Sequence, residues 1–379
     1  MGILFGVIVG LFILVLLVVA HELGHAVAAR RNGVVVEEFG IGFPPRAWKM
    51  KLKNGVLFTL NWLPLGGYVK LQGEHDAADK KGDYGAATFY QKTKILFAGV
   101  FINWLLAAVL MTMLAFVGLP RVLSDQFTMP NDTVIIHQPV EVASLTKDHP
   151  AEKAGIQVGD AIIRFAGQEV PTASRLVELT KQNMGKSVSI IYSRKGVENS
   201  VQVTLGNSTE GGVLGAGLGQ RDSIKATWSA PIVGVATTAQ FTWVTLQGVG
   251  DLIGNLVKGI ALQLSPDANT REQASADLKT VGDSVAGPIG ILGTIFPAAQ
   301  QAGLTQLVFL TAIISLTLAV MNVLPIPALD GGRWFTMVLF RLFKKDLTKE
   351  REERIQMVGF SILMGLTVLV TFADVARLF

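Results

Sequence analysis

The stretch "ILFGVIVGLFILVLLVVAHELGH", Ile3 to His25, decides the fold. Its first eighteen residues, Ile3 to Ala20, carry no charge, and a helix needs about 20 mostly apolar residues to cross a bilayer. The run passes without a break into His21-Glu22-Leu23-Gly24-His25. On a helix, residues i and i+4 share one face. Two imidazoles there can reach one metal ion, with Glu22 placed to work on a metal-bound water. Ionisable groups at membrane depth are costly and mark function by default. The plainer reading, an interfacial helix end whose histidines face head groups, leaves those groups uncompensated. A cleaved signal peptide is disfavoured, because a basic n-region is missing and the apolar run leads straight into the motif.

Working outward, the composition agrees with membrane spans. Half of the 379 residues are hydrophobic and only 16% are charged, against about 25% charged in a soluble domain. Three more segments are long enough to cross: Ile95 to Leu119, Leu304 to Leu324, and Ile355 to Ala373. Ala226 to Gly250 is uncharged but rich in Thr, Gln, Gly and Ser, and reads as an amphipathic or membrane-surface helix. Eleven Lys and Arg from Arg30 to Lys94 lie between spans one and two, and seven from Arg333 to Arg354 between spans three and four. Basic loops stay cytoplasmic, which puts both termini and the segment from Arg121 to Gly303 outside. A net charge of only +4 gives no reason to expect nucleic acid.

Between spans two and three, Asp132 to Leu205 reads as a small folded domain. Short β runs fall at Val134–Ile136, Ala161–Phe165, Ser187–Tyr192 and Ser200–Leu205, with a helix over Pro171 to Asn183.

There are no cysteines, so a metal must be held by His, Asp or Glu. A zinc site also needs a third protein ligand and an open position for water. His137 and His149 fall in the external domain, on the wrong side. His75 lies in a polar cytoplasmic loop that nothing fixes near the motif. Asp330, in "MNVLPIPALDGGRW" (Met321 to Trp334), is the better candidate. It follows an apolar span ended by Pro325 and Pro327, and irregular backbone at membrane depth is tolerated only when buried or lining a cavity. With three crossings, His21, His25 and Asp330 meet at one leaflet. A further crossing at Ala226 to Gly250 would separate them.

The motif HELGH at the end of the first span, the stretch "HPAEKAGIQVGDAIIRFAGQEV" (His149 to Val170), which resembles a PDZ domain, and "NVLPIPALDGG" (Asn322 to Gly332) together resemble the site-2 protease family, and within it the bacterial regulator of sigma-E protease group. The resemblance implies zinc on His21, His25 and Asp330, Glu22 as general base, and Asn322 as a contact to the substrate backbone or oxyanion. It implies that Val34 to Lys70 is a membrane-associated β region able to pair with unwound substrate. Many relatives carry Gly-Pro-x-x-Asn in span two. Here Gly99-Val100-Phe101-Ile102-Asn103 lacks the proline, leaving Asn103 either as a polar group behind the ligands or as a helix–helix hydrogen bond of about 0.6 kcal/mol. Only one PDZ-like insert is present, where close relatives can carry two.

The expected fold is therefore a polytopic α-helical membrane protein of about four transmembrane helices, with a membrane-associated β region and one extracytoplasmic PDZ-like α/β domain. Residues 1–33 hold the first helix with HELGH, 34–92 the cytoplasmic β region and loop, and 93–119 the second helix. Residues 120–208 form the PDZ-like domain and 209–303 an extracytoplasmic amphipathic or linker region. The third helix with LDGG is 304–334, a cytoplasmic loop 335–354, and the fourth helix 355–379. The implied activity is a metalloendopeptidase in a bacterial inner membrane. Its partners are the lipid bilayer and transmembrane proteins or peptides, such as pre-trimmed anti-sigma-type proteins or remnant signal peptides cut in regulated intramembrane proteolysis. The rival reading is a catalytically silent PDZ scaffold, which has no need of Glu22 beside two histidines and a matching Asp330. A zinc transporter would need ligands along a whole path rather than one cluster.

Overall fold

The computed structural model describes residues 2–194, 196–207, 212–263, 265, 267–284 and 286–376. The chain forms two units, Met1–Met113 with Gly234–Phe379, and Leu114–Val233.

Helix α1 (Gly2–Arg31) is apolar around its whole circumference up to His21, the pattern of a helix immersed in lipid rather than lying on a surface. It ends at Gly33, whose φ of 81° only glycine adopts without cost, as the Val34 N–H closes back on the Ala29 carbonyl at 3.0 Å. Strands β1 (Val36–Lys51) and β2 (Leu57–Leu71) are each bent, so four segments lie side by side. Segment 36–41 pairs antiparallel with 67–71 on one side. On its other side it runs alongside 57–60, with residue numbers rising together, and 57–61 pairs antiparallel with 46–51. The β region expected from the sequence is present, but as a folded sheet of order 67–71, 36–41, 57–61, 46–51. Glu38 pins it from inside, accepting from Arg46 at 2.8 and 2.9 Å, the Thr59 hydroxyl at 2.9 Å and the Tyr68 hydroxyl at 2.6 Å. Burial pushes this carboxyl up, but the bonds from Tyr68, Thr59 and Arg46 outweigh it and hold it below its ordinary value.

Helix α2 (Phe89–Val117) opens on a capping box. The Thr88 hydroxyl accepts the Gln91 N–H at 3.3 Å, and the Gln91 side chain accepts the Thr88 N–H at 2.9 Å. It crosses α1 backbone to backbone: a Cβ added to Gly24 would lie 2.7 Å from the Ala98 carbonyl oxygen. Small residues at such crossings let spanning helices approach.

The second unit contains β3 (Leu119–Arg121), β4 (Val134–His137), β5 (Val140–Leu145), α3 (Pro150–Lys153), β6 (Ala161–Phe165), β7 (Gln168–Glu169), α4 (Ala173–Gln182), β8 (Ser187–Arg194), β9 (Val197–Thr204), β10 (Ala216–Gly219) and β11 (Asp222–Lys225). One sheet has the order β10-β5-β6-β8-β9, with β7 on β6, and the other the order β3-β11-β4. Val140, Val142, Ile162, Phe165, Leu176, Leu179 and Ile190 fill the core. Asp160, just before β6, is bound by Arg194 through two 2.7 Å bonds and by the Gln157 N–H. Those Arg194 bonds hold its carboxyl below the ordinary range against the cost of burial. The four expected runs appear as β4, in the smaller sheet, and β6, β8 and β9, in the larger. The larger sheet also takes in β5 and β10, the latter from the glycine-rich 215–219, which has no apolar alternation to announce a strand.

Helix α5 (Ala230–Gln263) is 34 residues long. Its first half runs antiparallel along α2, with Gly234 against Thr112 and the Trp104 indole donating to Thr242 at 3.0 Å. Helix α6 (Ala268–Ser284) folds back on it, with Leu278 against Gly259. Then α7 (Pro288–Gly290), a π turn (Ile291–Ile295) and α8 (Phe296–Gln301) follow one another. Pro297 has no N–H for the Gly293 carbonyl, and the turn before it widens. Phe296 and Pro297 fill the grooves over Gly10 and Gly6 of α1, where an added Cβ would come within 2.6 Å. Helices α9 (Leu304–Val323), α10 (Asp330–Leu342) and α11 (Lys349–Ala376) complete the chain. The Asp374 carboxylate accepts the N–H groups of Gly287 at 3.2 Å and Gly290 at 2.7 Å, which ties the "GPIGI" stretch to the end of α11. Four helices, α1, α2, α9 and α11, are long and apolar enough to cross a membrane. They are the four expected, and α5 is not among them.

Candidate metal centre

Helix α1 carries His21 and His25 on one face, and α10 begins at Asp330. Pro325 forces the preceding Leu324 out of the helical region (φ −62°, ψ 146°), which ends α9. The chain then doubles back so tightly that a Cβ on Gly331 would lie 2.0 Å from the Val323 oxygen, and one on Gly332 1.9 Å from the Ile326 oxygen. Both glycines of LDGG are there because backbone occupies the space of a side chain.

The turn presents Asp330 Oδ2 at 3.1 Å from His21 Nε2 and 3.3 Å from His25 Nε2, and the two Nε2 atoms are 3.0 Å apart. His25 Nδ1 bonds the Ile95 carbonyl at 2.8 Å. A carbonyl only accepts, so Nδ1 carries the proton and Nε2 presents a bare lone pair. Asp330 Oδ2 is buried without a hydrogen-bond partner among the described residues. The lone pairs of His25 Nε2 and Asp330 Oδ2, and with them His21 Nε2, thus converge on one point. Tetrahedral zinc with ligands at about 2.0–2.1 Å sets them about 3.3 Å apart, which the triangle of 3.0, 3.1 and 3.3 Å matches. His21, His25 and Asp330 form the metal-ligand-type cluster found among the described residues.

Glu22 and Asn322 line the same cavity of about 200 Å³ as these three groups. The Val69 N–H, on segment 67–71, faces the Glu22 carboxylate, and Gly67 on that segment passes over Val18 and Glu22. The Asn322 amide donates to the Leu318 carbonyl at 3.0 Å. Asn103, by contrast, does not line this cavity. It is 1% exposed, and its side-chain nitrogen and oxygen have no partner among the described residues. Its backbone carbonyl takes the Ser315 hydroxyl at 2.8 Å, which joins α2 to α9. His75 lines a second cavity, shared with Asp330 and Arg333, and lies 3.8 Å from Glu353, while His137 bonds Asp222 at 2.8 Å.

Sequence reasoning missed Gly99. A Cβ there would lie 2.4 Å from His25 Nε2 and 2.7 Å from the His21 ring. The imidazoles use the space that any other residue would fill. The signal was the glycine itself, four residues before Asn103 in an otherwise bulky span. Also missed was Arg333, one turn after Asp330, which bonds Glu352 at 3.0 Å and Glu74 at 3.1 Å and lies over the Tyr84 ring at 4.7 Å. Burial pulls its guanidinium down, but Tyr84, Glu74 and Glu352 around it raise it further above its ordinary value.

Residues 9–366 match Peptidase family M50. The chain belongs to this family, the site-2 proteases, and is a zinc-dependent metalloendopeptidase. It is similar to a Clostridium perfringens protein provisionally named a zinc metalloprotease, at 31% identity over 359 residues and 95% of each chain. It is also similar to the zinc metalloprotease RasP of Geobacillus kaustophilus, at 25% identity over 96% of each chain. With four apolar helices of spanning length, it is a multi-pass membrane protein of bacterial type.

Proposed function

We propose that this protease cuts single-span transmembrane proteins within their apolar segment, in regulated intramembrane proteolysis, on anti-sigma-type proteins already trimmed outside or on remnant signal peptides. The observation that carries it is the convergence of His21, His25 and Asp330 near the ends of two apolar helices, with Glu22 in the same cavity. Zinc, held by His21, His25 and Asp330, supplies a polarised carbonyl and a water of lowered pKa. Glu22 takes the proton of the attacking water as the new C–O bond forms, and passes it to the amine nitrogen as the C–N bond breaks. The Asn322 amide turns from the Leu318 carbonyl toward the developing oxyanion. A helical substrate hides its carbonyls, so it must unwind. Segment 67–71, an edge of its sheet beside Glu22, offers strand pairing to the released groups. When the wild-type chain in liposomes is given a labelled single-span peptide, mass spectrometry is expected to place the cut inside the apolar stretch. Cuts confined to its polar flanks would remove the intramembrane reading.

The second unit is read as the PDZ-like domain, outside the cell membrane, taking peptide or substrate ends on a sheet edge. Both termini lie on that side, and the loops before α2 and after α10 face the cytoplasm. Because the chain has no cysteine, single cysteines can report this directly. Positions Lys80 and Lys345 are expected to label only from inside and Gln168 only from outside. The reverse pattern at Gln168 overturns the orientation.

A further inference from the structure

Glu352, Gln356 and Gly359 follow one another at i, i+4 and i+7 on α11, which puts them on one face. That face meets the turn between α9 and α10. The Gln356 side-chain oxygen accepts the Ala328 N–H at 2.6 Å, and because the donor is a backbone N–H, the accepting atom is the amide oxygen. Ala328 has a φ of 78°, a conformation that a residue with a Cβ keeps only when its surroundings enforce it. Gly359 is buried against Pro327, and an added Cβ there would meet Pro327 at 2.4 Å. Buried Glu352 takes the Arg333 Nε at 3.0 Å, one turn past Asp330, and its other oxygen takes the Asp76 N–H at 2.9 Å. Among the described residues, Gln356 makes the one side-chain hydrogen bond to backbone 324–329. Beyond this face α11 packs little: residues 360–369 are exposed or half-buried.

We propose that this face of the fourth apolar helix positions the third metal ligand, with Gln356 as the principal positioning residue and Gly359 as the close contact that seats the turn. Pro327 and Ala328 lie three and two residues before Asp330, and none of residues 324–329 is fully buried. Its left-handed residue would otherwise relax toward ordinary backbone and swing the carboxylate away from the two imidazoles. Gln356 and Gly359 hold the backbone of the turn, while Glu352 holds the first turn of α10 through Arg333. Gln356 touches neither substrate nor metal. Its effect passes through the Ala328 backbone. The inference rests on Asp330 being a zinc ligand and says what keeps it one.

The test reads metal, not turnover. Purified full-length variants are titrated with zinc against a chelator, and their cobalt-loaded forms are compared by visible absorption, which reports coordination geometry. Gln356→Leu, which has no acceptor, is expected to weaken zinc binding about 10–100-fold, the usual effect of losing a group that orients a ligand, and to alter the cobalt spectrum. Gln356→Glu keeps an oxygen at the same reach and is expected to stay within about threefold of wild type, a gap well below that range. Gly359→Ala is expected to weaken zinc like Gln356→Leu while α11 stays helical, since alanine favours helix over glycine. Full zinc affinity in Gln356→Leu, or equal losses in Gln356→Leu and Gln356→Glu, overturns the proposal. Asp330→Ala is the reference. If it keeps zinc, the ligand reading beneath has failed. If it loses zinc while Gln356→Leu keeps it, only the positioning role has failed.

Discussion

Glu22→Gln is expected to retain zinc and fold while losing hydrolysis by about 10²–10⁴-fold, the usual worth of a general base. The ligands are on other residues, so metal affinity should barely change. Gln is nearly isosteric and keeps an oxygen for the Val69 N–H, so segment 67–71 stays where it is. What disappears is the proton acceptor. The cavity holds two other carboxylates, Asp330 and Glu74. Asp330 faces both imidazoles, and Glu74 is engaged by Arg333 at 3.1 Å, so neither can substitute. The measurement is cleavage of a single-span peptide in liposomes at matched zinc content. A rate within a few-fold of wild type would falsify the assigned mechanism. An inactive wild type across many transmembrane substrates would favour the scaffold reading.

Gly99→Ala is expected to abolish tight zinc binding, by more than the roughly 10–100-fold typical of groups behind the ligands. The added methyl would sit 2.4 Å from His25 Nε2, the ligand atom itself, and 2.7–2.8 Å from the His21 ring. Backing of the imidazoles away relieves that clash, and the same movement opens the triangle on which the metal sits. Relief and coordination therefore exclude each other. Helix α2 should survive, because alanine favours helix over glycine by about 1 kcal/mol. Metal content after purification, read beside circular dichroism, separates the two outcomes. Normal helix with stoichiometric zinc would show that the histidines are not confined by Gly99.

Much of this centre could be read before any coordinates. The HELGH pair needs only helical spacing, and Asp330 follows from counting crossings and asking where irregular backbone is tolerable. The rest depends on what lies across space. Gly24, Gly99 and Gly359 matter because another backbone or ring occupies the place of a Cβ, and a sequence with 40 glycines does not say which are so used. The sheet order depends on non-local register, with one segment paired on both sides. The α11 face was legible in spacing but carried no chemical cue: a Glu, a Gln and a Gly at i, i+4 and i+7 look like an ordinary solvated turn until the Ala328 amide is found against it.

The small sheet between α1 and α2 has two margins, and they are not equivalent. Segment 46–51 presents Lys49 and Lys51, and lysines along a free edge discourage another chain from adding to it. At segment 67–71 the one lysine, Lys70, is neutralised by Glu37 at 2.8 Å, and the Val69 amide already faces the carboxylate of Glu22. A stray extended segment is thus turned away from the margin remote from the metal, and the margin left open is the one where an arriving strand would lie alongside the hydrolytic groups. If segment 67–71 receives substrate as proposed, this asymmetry would sort extended chains by where they can settle, before any side chain of the incoming peptide is recognised.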